Sequence, residues 1–215
     1  MARTPKGTIR QVYTSLDTAK AVSGISNASE AVVTCDAHGY ANGDVIFMTS
    51  GWGRINRRAF RIKSVLTNTF VLEGMDTTNT EFFPTGGGAG TAREALTPVQ
   101  VTMVLATQTS GGDAQQVEYS YEESDARYSI ADGFSAVSRT FELDADAIGT
   151  PGYTLLRSLT NTGAETVLKS ITKGGSFTLT PGTVAMNEEV VTQDGQVNRV
   201  RVVFNGSNQS VRYAS

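Results

Sequence analysis

The sequence predicts a mainly β protein: an antiparallel strand architecture with one flanking α-helix and a small β-module placed ahead of, or inserted into, the larger part. Three observations lead there. Apolar residues recur at period two over many short segments, the mark of half-buried strands. Most of those segments are bounded by Gly, Asn or Asp turn signals. Only one stretch carries helix start and stop signals at both ends.

Taken in chain order, residues 31–35, 44–49, 60–65 and 69–72 read as short strands between tight turns, and they mark the span 21–90 as the small β-module. Residues 1–20 form an N-terminal segment joining the main β-domain, which occupies 91–215. The run Thr85-Gly86-Gly87-Gly88-Ala89-Gly90-Thr91 reads as a flexible boundary between the two. Val99, Val101, Met103 and Leu105 then alternate with Gln100 and Thr102, as one strand requires. Residues 107–116 hold Gly111-Gly112 at their centre and no large apolar side chain, so they are expected to be a mobile loop. In the next strand Val137, Arg139, Phe141 and Leu143 share one face, and Ser138, Thr140 and Glu142 the other. The helix is placed at 151–162: Thr150-Pro151 supplies an N-cap with Pro at the first position, Leu155, Leu156 and Leu159 form its apolar stripe, and Gly163 ends it. Residues 117–121, 176–180, 197–204 and 210–214 supply further strands.

Composition narrows the function classes. At 215 residues the chain has room for one or two domains, and 39% hydrophobic with 18% charged residues is a foldable balance. A net charge of −3 disfavours tight nucleic-acid binding, yet it suits a surface past which DNA slides without adhering. Cys35 is the sole cysteine, which excludes an internal disulfide and a multi-thiolate metal site. The polar segment 1–10 is followed by no apolar core of a signal peptide, and the most apolar stretch, 99–106, is interrupted by Gln100 and Thr102, so neither a signal peptide nor a membrane helix is expected.

No constellation builds an active site. His38, the only histidine, sits in the polar turn Asp36-Ala37-His38-Gly39-Tyr40, and no G-x-S-x-G elbow provides a nucleophile for it. The glycine run lacks the Gly-Lys-Ser/Thr of a phosphate loop. Glu118, Glu122, Glu123 and Asp125, and again Glu142, Asp144 and Asp146, read as a solvated sheet face or a subunit contact and not as paired glycosidase carboxylates. Trp52, flanked by glycines and close to Arg54, Arg57 and Arg58, is the kind of group that stacks on sugar or base, or anchors a protein interface. Trp52 and Arg54 are expected at an interface loop tip. No catalytic, cofactor-binding or metal-ligating residue is assigned.

Two stretches carry a resemblance. Ala37-His38-Gly39-Tyr40-Ala41-Asn42-Gly43-Asp44-Val45-Ile46, with Asn56, Phe60, Ile62, Asn68-Thr69-Phe70 and Leu72, resembles a small β-module that recurs in phage tail and other virion proteins. Tyr119-Ser120-Tyr121-Glu122-Glu123, Gly133-Phe134-Ser135-Ala136, the strand to Leu143, the Leu155-Leu156 helix and the closing strands are similar to the tail tube proteins of long-tailed bacteriophages. That resemblance implies an antiparallel β-sandwich or split barrel with a flanking helix, made in the host bacterial cytoplasm and closed into hexameric rings. The rings would stack into a virion tube through which DNA leaves without specific binding. The implied partners are further copies of the chain and other tail proteins, such as tape measure, terminator and distal tail proteins, with no cofactor, membrane or catalysis. Within this reading Thr109, Ser110, Gly111, Gly112 and Asp113 are inter-ring loop candidates, and Ser138, Thr140 and Glu142 are lumen-face candidates. The alternative is a carbohydrate-binding β-sandwich, a receptor-binding or decoration module with its site at the Trp52 loop.

Overall fold

The computed structural model describes residues 6–214; residues 1–5 of the N-terminal segment, and Ser215, lie outside the described residues. Strand β1 (Ile9–Leu16) opens the fold. It is followed by the short β2 (Lys20–Val22), β3 (Gly24–Ile25) and β4 (Val32–Thr34), then by β5 (Val45–Ser50), β6 (Arg58–Lys63) and β7 (Thr69–Leu72). Next come β8 (Gly90–Val101) and β9 (Val104–Ser110). Strands β10 (Ala114–Tyr119), β11 (Tyr128–Phe134) and β12 (Ser138–Asp144) precede a single 3-10 turn at 145–147 and helix α1 (Pro151–Thr162). Strands β13 (Glu165–Ile171), β14 (Phe177–Val191), β15 (Arg199–Gly206) and β16 (Val211–Tyr213) close the chain.

The fold is mainly β, with a curled antiparallel sheet and one helix, as expected. Its strand order is β3-β4-β7-β6-β5-β8-β1-β13-β14-β15-β12-β9, with β2 added on β8 and β16 on β14. The 12-residue β8 is the shared element, because its first half pairs with β2 and β5 and its second half with β1. Three apolar clusters fill the curl. One lies among β2–β7 around Trp52, Phe60 and Phe70; a second sits under α1 around Phe141, Phe204 and Leu156; a third joins them through Phe47, Tyr13, Val167 and Tyr213. The helix forms where its capping signals put it. The Thr150 side chain accepts from the Tyr153 N–H, Pro151 occupies the first turn, and Gly163 takes a left-handed φ of 61°. Tyr153, Leu156 and Leu159 are buried on the sheet, and Thr160 Oγ1 accepts from the Met186 N–H at 3.0 Å, pinning the helix to β14.

Three local expectations are corrected. The alternating run 99–106 is not one strand: it breaks at Thr102-Met103, where Met103 has φ 57°, because the chain leaves β1, the partner of β8, for β12, the partner of β9. The glycine run is no loose linker. A Cβ on Gly87 would come within 2.9 Å of Trp52 Nε1, and one on Gly51 within 2.4 Å of the Gly87 carbonyl, so glycine is needed there for close packing. Residues 107–116 are not an open loop either. Thr107–Ser110 pair with Ser138–Phe141 and Ala114–Gln116 with residues 131–134, leaving 111–113 as a bend in a continuous ribbon. Thr and Gln fill strands well without an apolar pattern when neither face is deeply buried, so hydrophobic periodicity is silent there.

Candidate assembly surfaces

Strands β9 and β10 run almost without interruption from 104 to 119, and β11 and β12 return from 128 to 144. The near half of this ribbon, β9 with β12, is the last ladder of the main sheet. The far half, β10 with β11, forms a separate two-stranded sheet. Between them the chain bends at Gly111-Gly112, where the Gly112 N–H donates to the Ser135 carbonyl and the Ser135 N–H to the Asp113 carbonyl. Gly111 has φ 74°, and a Cβ there would fall 1.9 Å from the Ala136 carbonyl oxygen, so both backbone shape and space demand glycine. The inter-ring candidates therefore divide. Thr109 and Ser110 end β9 opposite Arg139 and Ser138, while Gly111, Gly112 and Asp113 make the hinge.

Beyond the hinge every residue of β10 and β11 is exposed. Cross-strand pairing puts Val117 opposite Ile130 and Tyr119 opposite Tyr128, so four large side chains share one face of the arm. Tyr119, Tyr121 and Tyr128 touch one another with ring centroids 5.5–5.9 Å apart. A lone two-stranded ribbon is marginal in water, and this one offers an apolar stripe with nothing laid over it among the described residues. Sequence reading missed the arm as a unit. The signal was present in the paired segments 117–121 and 128–134, with turn residues Ser124 and Asp125 between them, but exposure on both sides gives no clean alternation.

The face predicted from Ser138, Thr140 and Glu142 exists as a geometric surface. Phe141 and Leu143 point into the core, and the three polar side chains lie on the other side in register with Ser110, Gln108 and Ala106 of β9 and with Asn205, Val203 and Arg201 of β15. The face mixes small polar side chains with charged ones: Glu142 meets Arg199 at 3.5 Å, and the exposed Arg201 stands opposite Glu142.

Trp52 is corrected from a loop tip to a core anchor. It is 2% exposed, packs edge-on to Phe83 at 5.3 Å, and donates from Nε1 to the Pro84 carbonyl at 2.9 Å. The flanking glycines that suggested a mobile tip instead allow the backbone of 86–88 to lie against the indole. Arg54 remains exposed and stacks its guanidinium 3.5 Å from the Phe82 ring centroid. His38 is buried, with its Nδ1 accepting from the Tyr40 N–H at 3.0 Å and its ring against Tyr40 and Phe70, which makes it part of a turn core.

A family model described as phage tail tube protein, TTP, matches residues 50–215. No curated protein matches the chain. The family match opens at the end of β5 and takes in β8, the exposed ribbon, α1 and all of the closing strands. Because that span is well over half of the sequence, the chain belongs to the phage tail tube protein family and is a structural component of the virion tail.

Proposed function

We propose that the protein is a ring-forming subunit of the tail tube, assembling through its own edges into stacked, hexameric rings around a DNA-conducting channel. The observation that carries this reading is the exposed β10–β11 arm: a ribbon with a tyrosine, valine and isoleucine stripe, in a chain of this family, that has no layer to pack on among the described residues of its own subunit. The free edge of β9, the last strand of the sheet, supplies a second surface of the same kind, because its outer backbone groups are available to a neighbouring chain. The Ser138, Thr140 and Glu142 face is assigned to the lumen, where Glu142 and Asp144 offset the facing Arg201 and Arg199 and leave no net cationic surface to hold passing DNA. The 21–90 span, with its own Trp52-centred core, is assigned to the outside of the tube or to ring-to-ring contact. Other tail proteins meet the tube at its ends, and the subunit is made in the host cytoplasm before assembly. The sugar-binding alternative rested on an accessible Trp52, and the buried indole leaves no stacking surface for a glycan.

Sedimentation velocity over a wide concentration range, followed by negative-stain microscopy, tests the reading. Rings and tubes that lengthen with concentration are expected. A species that stays monomeric at the highest concentrations, with and without other tail components, overturns it.

A further inference from the structure

One end of the main curl carries cations that have no anion partner among the described residues. Arg10 shares the inner face of β1 with the core residue Val12, and Arg139 shares that of β12 with Phe141. Strand register sets Arg10 opposite Ser170, and Arg139 Nη1 donates to Ser170 Oγ at 2.9 Å, so the two guanidiniums are neighbours where the apolar core stops. The Arg10 guanidinium lies 5.7 Å from the Phe141 ring centroid. Burial lowers the pKa of both arginines, and the nearby Arg10 charge lowers that of Arg139 further. Nε of Arg139 is shut off from solvent without a hydrogen-bond partner, and so is Oγ1 of Thr107. Arg10 and Thr107 open onto a cavity of about 410 Å³ between the start of β1, with Lys6, and the first half of β9. None of the ion pairs among the described residues includes Lys6, Arg10 or Arg139.

Unpaired cations and orphaned donors at this depth are costly, and the chemistry that relieves them is a carboxylate or another small anion. The same chain carries the complementary group elsewhere. At the tip of the arm, Glu122, Glu123 and Asp125 stand exposed and form no ion pair among the described residues, while Glu118 pairs with Arg127 at 3.8 Å. The arm departs from the 110 end of β9, whereas the mouth is lined by residues 104–107 at the other end of that strand.

We infer that the Lys6–Arg10 mouth, with Arg139 behind it, receives the acidic arm tip of a second copy of this chain, forming an electrostatic latch between subunits. This deepens the tube reading and rests on it. The apolar stripe of the arm supplies adhesion along its length; the tip and mouth fix how far and in which register it docks.

The triple variant Glu122→Lys, Glu123→Lys, Asp125→Lys changes only exposed positions and leaves the subunit folded by circular dichroism. Its critical concentration for tube formation rises on the order of tenfold or more, and the salt dependence of assembly flattens. Adding Lys6→Glu and Arg10→Glu to that triple variant restores assembly toward the wild-type concentration. A tip variant that forms tubes at wild-type concentrations with unchanged salt dependence overturns the latch and leaves the tube reading standing. A wild-type protein that never assembles overturns both. A fluorescent DNA duplex that binds the wild-type subunit and is released by Arg10→Glu, while the tip variant assembles normally, shows the mouth to be a phosphate site and overturns the latch in favour of nucleic acid.

Discussion

Strands β2–β7, proposed above as a β-module, and the β10–β11 arm are built alike and meet opposite fates. In the module, β5, β6 and β7 alternate side chains onto a shared core where Trp52, Phe60 and Phe70 are at most 2% exposed. In the arm, Val117, Tyr119, Tyr128 and Ile130 line up on one face as regularly, yet each stays 39–56% exposed. The difference is the number of layers. In the module the side chains of β4, β5, β6 and β7 close on one shared core, whereas the arm is a ribbon of two strands with nothing over its stripe among the described residues. An apolar stripe therefore reports that a strand needs a second layer. Whether the same chain or a neighbouring copy supplies it is decided by topology.

This contrast makes graded predictions about the stability of the isolated subunit. The largest loss belongs to Trp52→Ala, which empties the centre of the module and leaves the Pro84 carbonyl with the Gly87 N–H alone as donor. Aromatic-to-alanine changes in cores cost about 3–5 kcal/mol, measurable as a lowered denaturant midpoint. A loss under about 1 kcal/mol would mean that the glycine turn collapses onto the vacancy, and that the module is more pliable than its packing implies. Next comes Gly111→Ala, which meets both a left-handed φ and the Ala136 carbonyl. A cost of about 1–3 kcal/mol is expected, and because the hinge sets the direction of the arm, tubes from this variant should be irregular even where the subunit is folded. Straight tubes of normal diameter would show that the arm finds its own angle on docking.

Smaller still is the stitch between the two strand sets. Arg61 of β6 forks onto Glu73, at 2.6 Å from Nη2, while its guanidinium lies 5.2 Å from the ring centroid of Phe177 and 4.9 Å from that of Tyr213. Hydrogen bonding from Arg61 holds the Glu73 carboxyl below its ordinary value of 4.5. A carboxylate with a depressed folded-state pKa stabilises the fold above its unfolded value and loses that contribution as pH falls through the folded one. With both side chains about one quarter exposed, the pair contributes about 0.5–1 kcal/mol. Glu73→Gln should lower stability by that amount near neutral pH, and the gap to wild type should close in acid below the ordinary carboxylate range. A gap that persists undiminished at low pH would assign the effect to packing.

Much of this was legible in the sequence, for reasons the residues make plain. The helix was exact at both ends because Thr150, Pro151 and Gly163 act locally and need no tertiary context. The β12 alternation held because Phe141 and Leu143 face a deep core. Trp52 was misplaced because flanking glycines look alike whether they free a loop or let two backbones approach, and only the second holds here. Strand β13 was missed, although Val167 and Leu168 are fully buried, because consecutive buried residues erase the period-two signal. The cationic mouth was illegible for a different reason: Arg10 and Arg139 are far apart in sequence and meet only through the β1–β13 register.

The smallest expected effect on the subunit belongs to the arm, and it is the sharpest test of the contrast. Val117→Ser with Ile130→Ser removes the facing aliphatic pair at the middle of the stripe. In the module such a double change would empty a core, but here both side chains already contact water, at 45% and 56% exposure, so little transfer free energy is lost. The unfolding midpoint of the isolated subunit should shift by no more than about 0.5 kcal/mol. Assembly should respond in the opposite measure. If a neighbouring copy covers the stripe, each docked arm loses two buried aliphatic groups, and because every subunit in a tube repeats the contact the defect multiplies along its length. Hydrogen exchange reads the same contrast without mutation: amides of β5–β7 should be protected in the free subunit, while those of residues 114–134 should exchange freely until tubes form. Strong protection of the arm in a monomer, or normal tubes from the double variant, would mean that the ribbon is stable without a partner and that the subunits join elsewhere.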